Sequence, residues 1–393
     1  MNDPVVIVGA SRTAIGSFQG ALAALPAPAL GAAALRGAIA GAGIAADQIE
    51  ETVMGCVLPA GQGQAPARQA SIGAGVPMST PCTTVNKMCG SGMKAVMLAH
   101  DAILAGSVRV AAAGGMESMS NAPYLLLKAR AGLRLGHGEV LDHMFIDGLE
   151  DAYDKGRLMG SFAEDCAARF EFSREEQDAY AIESLKRAHQ AIAEGAFRRE
   201  IVPVTARGRD GETAIEIDEQ PGRARLDRIP QLKPAFRPDG TVTAANSSSI
   251  SDGAAALILM KASEAARRGL KPIARIAGHA SHAQEPGWFT TAPIGAIRAL
   301  LDRIGWTREE IDLYEINEAF AVVAMAAMAE LELDHAKLNV RGGACALGHP
   351  VGASGARILV TLLRALEDRG GRRGVASLCI GGGEATAMAL ELL

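Results

Sequence analysis

What the chain lacks narrows its class first. None of its six cysteines, at positions 56, 82, 89, 166, 345 and 379, belongs to a C-x-x-C pair or a short cluster, so zinc frameworks and disulfide scaffolds are both disfavoured. No secretory leader is visible: the N-terminus passes straight into Val5-Val6-Ile7-Val8 without a basic start. The apolar run Ala319 to Ala329 is too short to span a membrane and is flanked by acids. A cytoplasmic enzyme is therefore expected. A formal charge of -5 gives no general attraction for nucleic acid or an anionic membrane. One stretch runs against that balance: between Gly222 and Arg237, five cations (Arg223, Arg225, Arg228, Lys233, Arg237) face the single anion Asp227. Such a patch suits a phosphate ligand or an ordinary solvated loop equally well.

What is present points to a folded α/β chain. At 393 residues it exceeds the size of one hydrophobic core, which predicts two similar units or a core with an inserted lobe. With 49% hydrophobic and 21% charged residues, disorder is excluded. Forty-five glycines indicate many tight turns and close backbone contacts.

The chain repeats its own grammar. Early on, a strand at Val5 to Val8 is followed by a helix over Leu30 to Ala42, a stop at Gly43, and Asp47-Gln48-Ile49 leading into the strand Thr52 to Gly55. Late in the chain a helix over Ile294 to Ile304 stops at Gly305, and Ile311 leads into the strand Leu313 to Ile316. Both Gly43/Gly305 and Ile49/Ile311 are offset by 262 residues. A second correspondence links Cys89-Gly90-Ser91-Gly92, its helix and the strand Val108 to Ala113 with Gly352-Ala353-Ser354-Gly355, its helix and Gly374 to Cys379. Duplicated α/β units, giving two parallel-containing sheets covered by helices, are the simplest account. The predicted division is an N-terminal half (1–116 with 240–270), an inserted lobe (117–239) and a C-terminal half (271–393). Within the lobe a helix is expected over Arg174 to Glu194, with Ser173 and Glu176 forming a capping box.

Four segments carry candidate chemistry. Cys89, in Asn86-Lys87-Met88-Cys89-Gly90-Ser91-Gly92, stands before a helix whose free N–H groups and dipole favour a thiolate. Taken alone, it reads more simply as a small core cysteine in a glycine turn. His349 lies in Gly348-His349-Pro350, where the proline and flanking glycines allow a turn that aims the ring into a cleft as a general base. Cys379 ends an apolar strand and opens onto Gly381-Gly382-Gly383, a place where a thiol meets substrate beside free backbone N–H groups. Asn317, followed by Glu318, caps the next helix or positions a water.

Together Asn86 to Gly92, Asn317 to Ala321, Gly342 to Gly355 and Cys379 to Gly383 resemble the thiolase family over nearly the whole chain, and within it the acetyl-CoA acetyltransferases. The resemblance implies a layered α-β-α-β-α fold in which Cys89 takes the acyl group, His349 activates Cys89 and Cys379 exchanges the α-proton of a second acyl-CoA. Asn317, through a water, and His349 would form one oxyanion hole, and the N–H groups of Cys89 and Gly381 the other. The reaction implied is reversible, ping-pong Claisen condensation of two acetyl-CoA, with coenzyme A as substrate and product and no metal or redox cofactor. Acyl-CoA contacts carried over by motif fall on Ser248, Leu232 and Phe236, with Met159, Ala319 and Phe320 among the further CoA-binding positions and Phe289 bordering the acyl pocket. Arg223 is a physical expectation for a phosphate contact. Met116 to Met144 resembles the family's tetramerisation loop, which implies a homotetramer.

Several positions depart from the family pattern: Leu158 for a histidine, Phe289 for a methionine, Arg341 for an asparagine, Ser249 for a glycine and Glu384-Ala385 for Met-Gly. A phenylalanine at 289 would shorten or reshape the acyl cavity. A degradative 3-ketoacyl-CoA thiolase of broader chain length would use the same residues, and a non-catalytic CoA- or lipid-binding scaffold would keep the fold without the chemistry.

Overall fold

The computed structural model describes residues 3–208 and 211–393. The first half runs β1 (Val5–Thr13), α1 (Ala27–Ala42), β2 (Glu51–Gly55), α2 (Pro66–Gly73), β3 (Cys82–Val85), α3 (Ser91–Leu104) and β4 (Val110–Ser118). The chain then leaves the sheet through a lobe containing α4 (Met159–Arg169) and α5 (Arg174–Ala193), and returns as β5 (Ser251–Lys261). The second half runs β6 (Ala274–Ala283), α6 (Ala292–Ile304), β7 (Leu313–Ile316), α7 (Ala321–Leu331), α8 (Val351–Arg369), β8 (Arg373–Ile380) and β9 (Glu384–Leu392).

The duplication is written in the strand order. In the first half it is β1-β5-β4-β2-β3; in the second β6-β9-β8-β7 repeats all but the last strand. Both sheets are mixed: β2 lies parallel to β3 and β4, and β7 parallel to β8, while the remaining pairs are antiparallel. The sheets touch at a short ladder, Val6 opposite Arg275 and Ile7 opposite Ala274, which joins them into one hydrogen-bonded surface.

Strands in the middle of this stack are buried on both faces, which explains their unbroken apolar runs. In β1, Val5 and Ile7 enter the core between the halves while Val6 and Val8 enter the outer one under α1. Helices α3 and α8 fill the space between the sheets and pack on each other, with α1 outside one sheet and α6 outside the other. Their crossing has no room for side chains. A Cβ on Gly92 would stand 2.9 Å from the Ala356 nitrogen, and one on Gly355 would stand 2.4 Å from the Met93 nitrogen. The helices therefore meet backbone to backbone.

The lobe is tied to the core by buried charge. Arg12 donates to both carboxylate oxygens of Asp218, at 2.7 and 2.8 Å, and to Glu200 at 2.7 Å. Removing one partner of such a pair typically costs about 3–5 kcal/mol. Arg341 joins the same network through Glu200, at 3.4 Å, and Asp368, which gives this departure from the family pattern a packing role. The predicted capping box on α5 is present: the Glu176 N–H donates to Ser173, and the Glu176 carboxylate accepts from the Ser173 N–H.

Candidate active site

Cys89 sits in a turn held by its neighbours. The Lys87 N–H donates to Ser91 Oγ at 2.8 Å, and that hydroxyl donates to the Met88 carbonyl at 2.6 Å. Met88 is forced to φ +46°, uncommon for a residue with a side chain. Gly90 allows close approach: a Cβ there would be 2.4 Å from Ile380 Cδ1, so the Cys89 turn rests directly on the strand that ends in Cys379 and Ile380. The N–H groups of Cys89 itself and of Gly381 point at the Cys89 sulfur.

The expectation that the start of α3 lowers the Cys89 pKa is not met. Burial pushes the thiol up to about 11, against the pull of the two N–H groups, and the nearby Glu117 carboxyl adds to the rise. Desolvation of a thiolate in this apolar cleft outweighs the helix terminus. His349 moves the other way, down to about 3, through burial first and then the positive charge of Arg357. Both partners therefore rest neutral, and the proton must move as sulfur attacks.

The His349 tautomer follows from counting hydrogens. Ser354 Oγ stands 2.6 Å from His349 Nδ1 and 3.0 Å from the Pro350 carbonyl, which can only accept a hydrogen. Assigning the serine hydrogen to that carbonyl puts the ring proton on Nδ1, donated to Ser354. Nε2 is left bare, buried and without a hydrogen-bond partner among the described residues. This is the state a general base requires.

Asn317 does not cap α7, which begins four residues later after Phe320. Its N–H donates to the Ser377 carbonyl at 3.0 Å, its Oδ1 faces Arg357 Nη2 at 3.4 Å, and its amide nitrogen lies 3.5 Å from His349 Nδ1. Cys379 is fully buried, its thiol held well above the ordinary range by burial and then by proximity to Cys89. Beyond it Gly382 and Gly383 adopt φ +93° and +87°, and a Cβ on Gly383 would strike the Gln284 carbonyl at 2.4 Å.

Cys89, His349, Cys379 and Gly381 line one cavity of about 250 Å³, together with Met159, Phe236, Ser248, Phe289, Ala319 and Phe320. Two sulfurs from opposite halves and one imidazole thus share a single cleft. Phe289 is braced edge-to-face on Phe162 at 6.2 Å. Two predicted contacts lie elsewhere. Leu232 borders a separate groove with Arg225, Arg228 and Cys345. Arg223 pairs with Glu219 one helical turn back and lines neither cleft, because its helix, Glu219–Arg223, turns it toward that carboxylate. The cations beside the groove are Arg225 and Arg228.

Other residues of the site escaped the sequence reading. Phe145, Gly148 and Leu149 reach the cavity from the lobe, and Val351 and Ile250 complete its wall. No spacing signal marks them. Glu117 lies behind that wall, fully buried, accepting from the N–H groups of Val57 (2.9 Å), Leu58 (3.1 Å) and Gly352 (2.9 Å). The Val57 carbonyl in turn accepts from Asn86, whose Oδ1 takes the Met88 N–H. One carboxylate therefore ties the Cys89 turn to the start of α8, three residues after His349. Burial raises its pKa to about 7.

Comparison with known proteins places nearly the whole chain in one family. Residues 5–263 match the model of the thiolase N-terminal domain and residues 270–392 that of the thiolase C-terminal domain. An acetyl-CoA acetyltransferase of Pseudomonas aeruginosa is 50% identical over 388 residues, covering 98% of both chains. A cytosolic acetyl-CoA acetyltransferase of Mus musculus is 49% identical, covering 99% of this chain and 98% of its own. The crystal structure of the Bacillus anthracis acetyl-CoA acetyltransferase superposes with a TM-score of 0.97 at 40% identity, over 100% of this chain and 99% of that one.

Proposed function

Since the chain belongs to the thiolase family and is an acyltransferase, we propose that it condenses two acetyl-CoA into acetoacetyl-CoA and CoA, reversibly, through an acyl-enzyme on Cys89. The observation that carries the reading is the convergence of Cys89, His349 and Cys379 on one short apolar cavity. Cys89 attacks the thioester carbonyl as its proton passes to His349 Nε2, and the N–H groups of Cys89 and Gly381 hold the oxyanion. Cys379, protonated in the resting site, becomes a base only by giving its proton to the departing CoA sulfur. The thiolate so formed removes the α-proton of the second acetyl-CoA. His349, now carrying a proton on Nε2, donates to the enolate oxygen beside a water held by Asn317. The carbanion attacks the acyl carbonyl, the C–S bond to Cys89 breaks, and His349 returns its proton to that sulfur. Atoms and protons balance over the cycle without a metal or redox group.

Ser248 and Phe236 would guide the CoA arm, with Arg225 and Arg228 beside Leu232 better placed for phosphates than Arg223. The lobe is proposed to make a homotetramer: Tyr124, Leu127, Leu135 and Val140 expose 68, 62, 98 and 62% of their surface, an apolar edge that another subunit would cover. No described helix is long and apolar enough to cross a membrane, and a cytoplasmic location fits the mouse relative. Intact-mass spectrometry after incubation with acetyl-CoA tests the chemistry. The parent and Cys379→Ser should gain one acetyl group, Cys89→Ala none, and only the parent should form acetoacetyl-CoA. Loss of the adduct in both variants alike would overturn the division of roles.

A further inference from the structure

At the far end of α3, about 16 Å along the helix from Cys89, three donor atoms meet that take no part in this chemistry. They are His100 Nδ1, Asp101 Oδ1 and, from β6 in the other half, His279 Nε2. Their separations are 3.2 Å between the two nitrogens, 3.1 Å from His100 to Asp101 and 2.9 Å from His279 to Asp101. We propose that they form a binding site for one divalent transition-metal ion of the zinc class, which staples the N-terminal half to the C-terminal half.

The geometry argues for a metal over a simple hydrogen-bond cluster in three ways. Donors on a tetrahedral ion at about 2.0–2.1 Å stand roughly 3.3 Å apart, a spacing that the two His100 edges, at 3.2 and 3.1 Å, approach. The imidazole centroids are 4.9 Å apart with planes at 85°. Two rings joined head-on by N–H···N at this nitrogen separation would hold their centroids about 5.5 Å apart, whereas lone pairs converging on a shared ion bring them to about 5.0 Å. Protons also fail to satisfy the triangle. A carboxylate brings none and each ring nitrogen at most one, so if both nitrogens donate to Asp101 the contact between them sets donor against donor. A cation satisfies all three lone pairs at once.

Access suits this assignment. The rings are nearly enclosed, with 10 and 13% of their side chains exposed, while Asp101 is 54% exposed and leaves a fourth position open to water. Arg303 fixes the strand from outside by donating to the His279 carbonyl at 2.8 Å. The cysteine spacing that excludes a zinc framework does not bear on this set, because folding brings His279 to a helix 179 residues earlier. None of the three residues lines the acyl cavity.

Zinc chloride titrated calorimetrically into EDTA-stripped full-length enzyme tests the proposal. One ion per chain should bind with micromolar or tighter affinity and raise Tm. Asp101→Asn should weaken binding about tenfold and His279→Ala at least a hundredfold, with condensation rates within twofold of the parent. Cobalt(II) in place of zinc should give the visible bands of a tetrahedral nitrogen-oxygen site without a sulfur charge-transfer band. Should His279→Ala fail to fold, the exposed Asp101→Asn carries the comparison. No saturable binding, binding unchanged in Asp101→Asn, or a sulfur charge-transfer band marking ligation by the cysteines would each overturn the assignment.

Discussion

Ser354→Ala removes one oxygen and tests how His349 is prepared as a base. In the parent, Ser354 takes the Nδ1 proton across 2.6 Å while its own hydrogen goes to Pro350. Ser354 is fully buried and His349 nearly so, so no water replaces the lost acceptor. A buried donor left unpaired costs about 1–3 kcal/mol. The ring can escape that cost by moving its proton to Nε2, but Nε2 is then no longer able to accept the thiol proton. If about 1.4–2.8 kcal/mol of preference for the productive tautomer is lost, acylation of Cys89 slows about 10- to 100-fold. Rapid-quench mixing with acetyl-CoA, read by intact mass, isolates that step from condensation. The urea midpoint reports the accompanying loss of stability. A folded Ser354→Ala enzyme that acylates within twofold of the parent would refute the assigned tautomer.

Three further outcomes follow from the site. Glu117→Gln keeps the shape but puts an amide N–H₂ against backbone donors; acylation should fall about tenfold or more with KM for acetyl-CoA unchanged, while iodoacetamide should alkylate Cys89 at lower pH because a neighbouring negative charge is gone. A KM effect alone would show that Glu117 shapes the substrate channel instead. Phe289→Leu opens the cavity floor and should raise kcat/KM for longer 3-ketoacyl-CoA relative to acetoacetyl-CoA by about tenfold, measured as a ratio of thiolysis rates. For pH, His349 binds its proton less readily folded than unfolded, so the stability it contributes is present above its ordinary pKa and is lost as pH falls toward about 3. Denaturant midpoints should therefore drop less between neutral and acid pH in His349→Asn than in the parent; equal drops would remove His349 from the acid response.

The halves of the molecule were legible because a helix, a glycine stop and a short strand recur at one fixed spacing. That Cys89, Cys379 and His349 would share one cleft was legible because glycines crowd the chain around them. The missing parts share a physical reason. Strands β5 and β9 lie inside each sheet with both faces buried, so no alternation marks them. Ser354 is one small residue inside a glycine-rich helix start, and Glu117 stands near the end of an Ala-Gly strand with nothing local to announce its backbone contacts. The thiol's pKa failed as a sequence expectation because the start of a helix is visible in residue order and the depth of a cleft is not. Helix α1 begins at Ala27, earlier than Leu30, since Pro28 is tolerated in a first turn where its missing N–H has no partner to lose.

The bare crossing of α3 over α8 has a consequence for how this molecule can vary. Side chains usually act as spacers between helices, and exchanging one for another shifts the axes by fractions of an ångström. At Gly92 and Gly355 there is no spacer to exchange, so peptide against peptide acts as a mechanical stop. The offset between the nucleophile's helix and the helix that follows the histidine is gauged by atoms every residue possesses. The surrounding aliphatic layers are thereby free to drift in composition while the reacting groups keep their spacing.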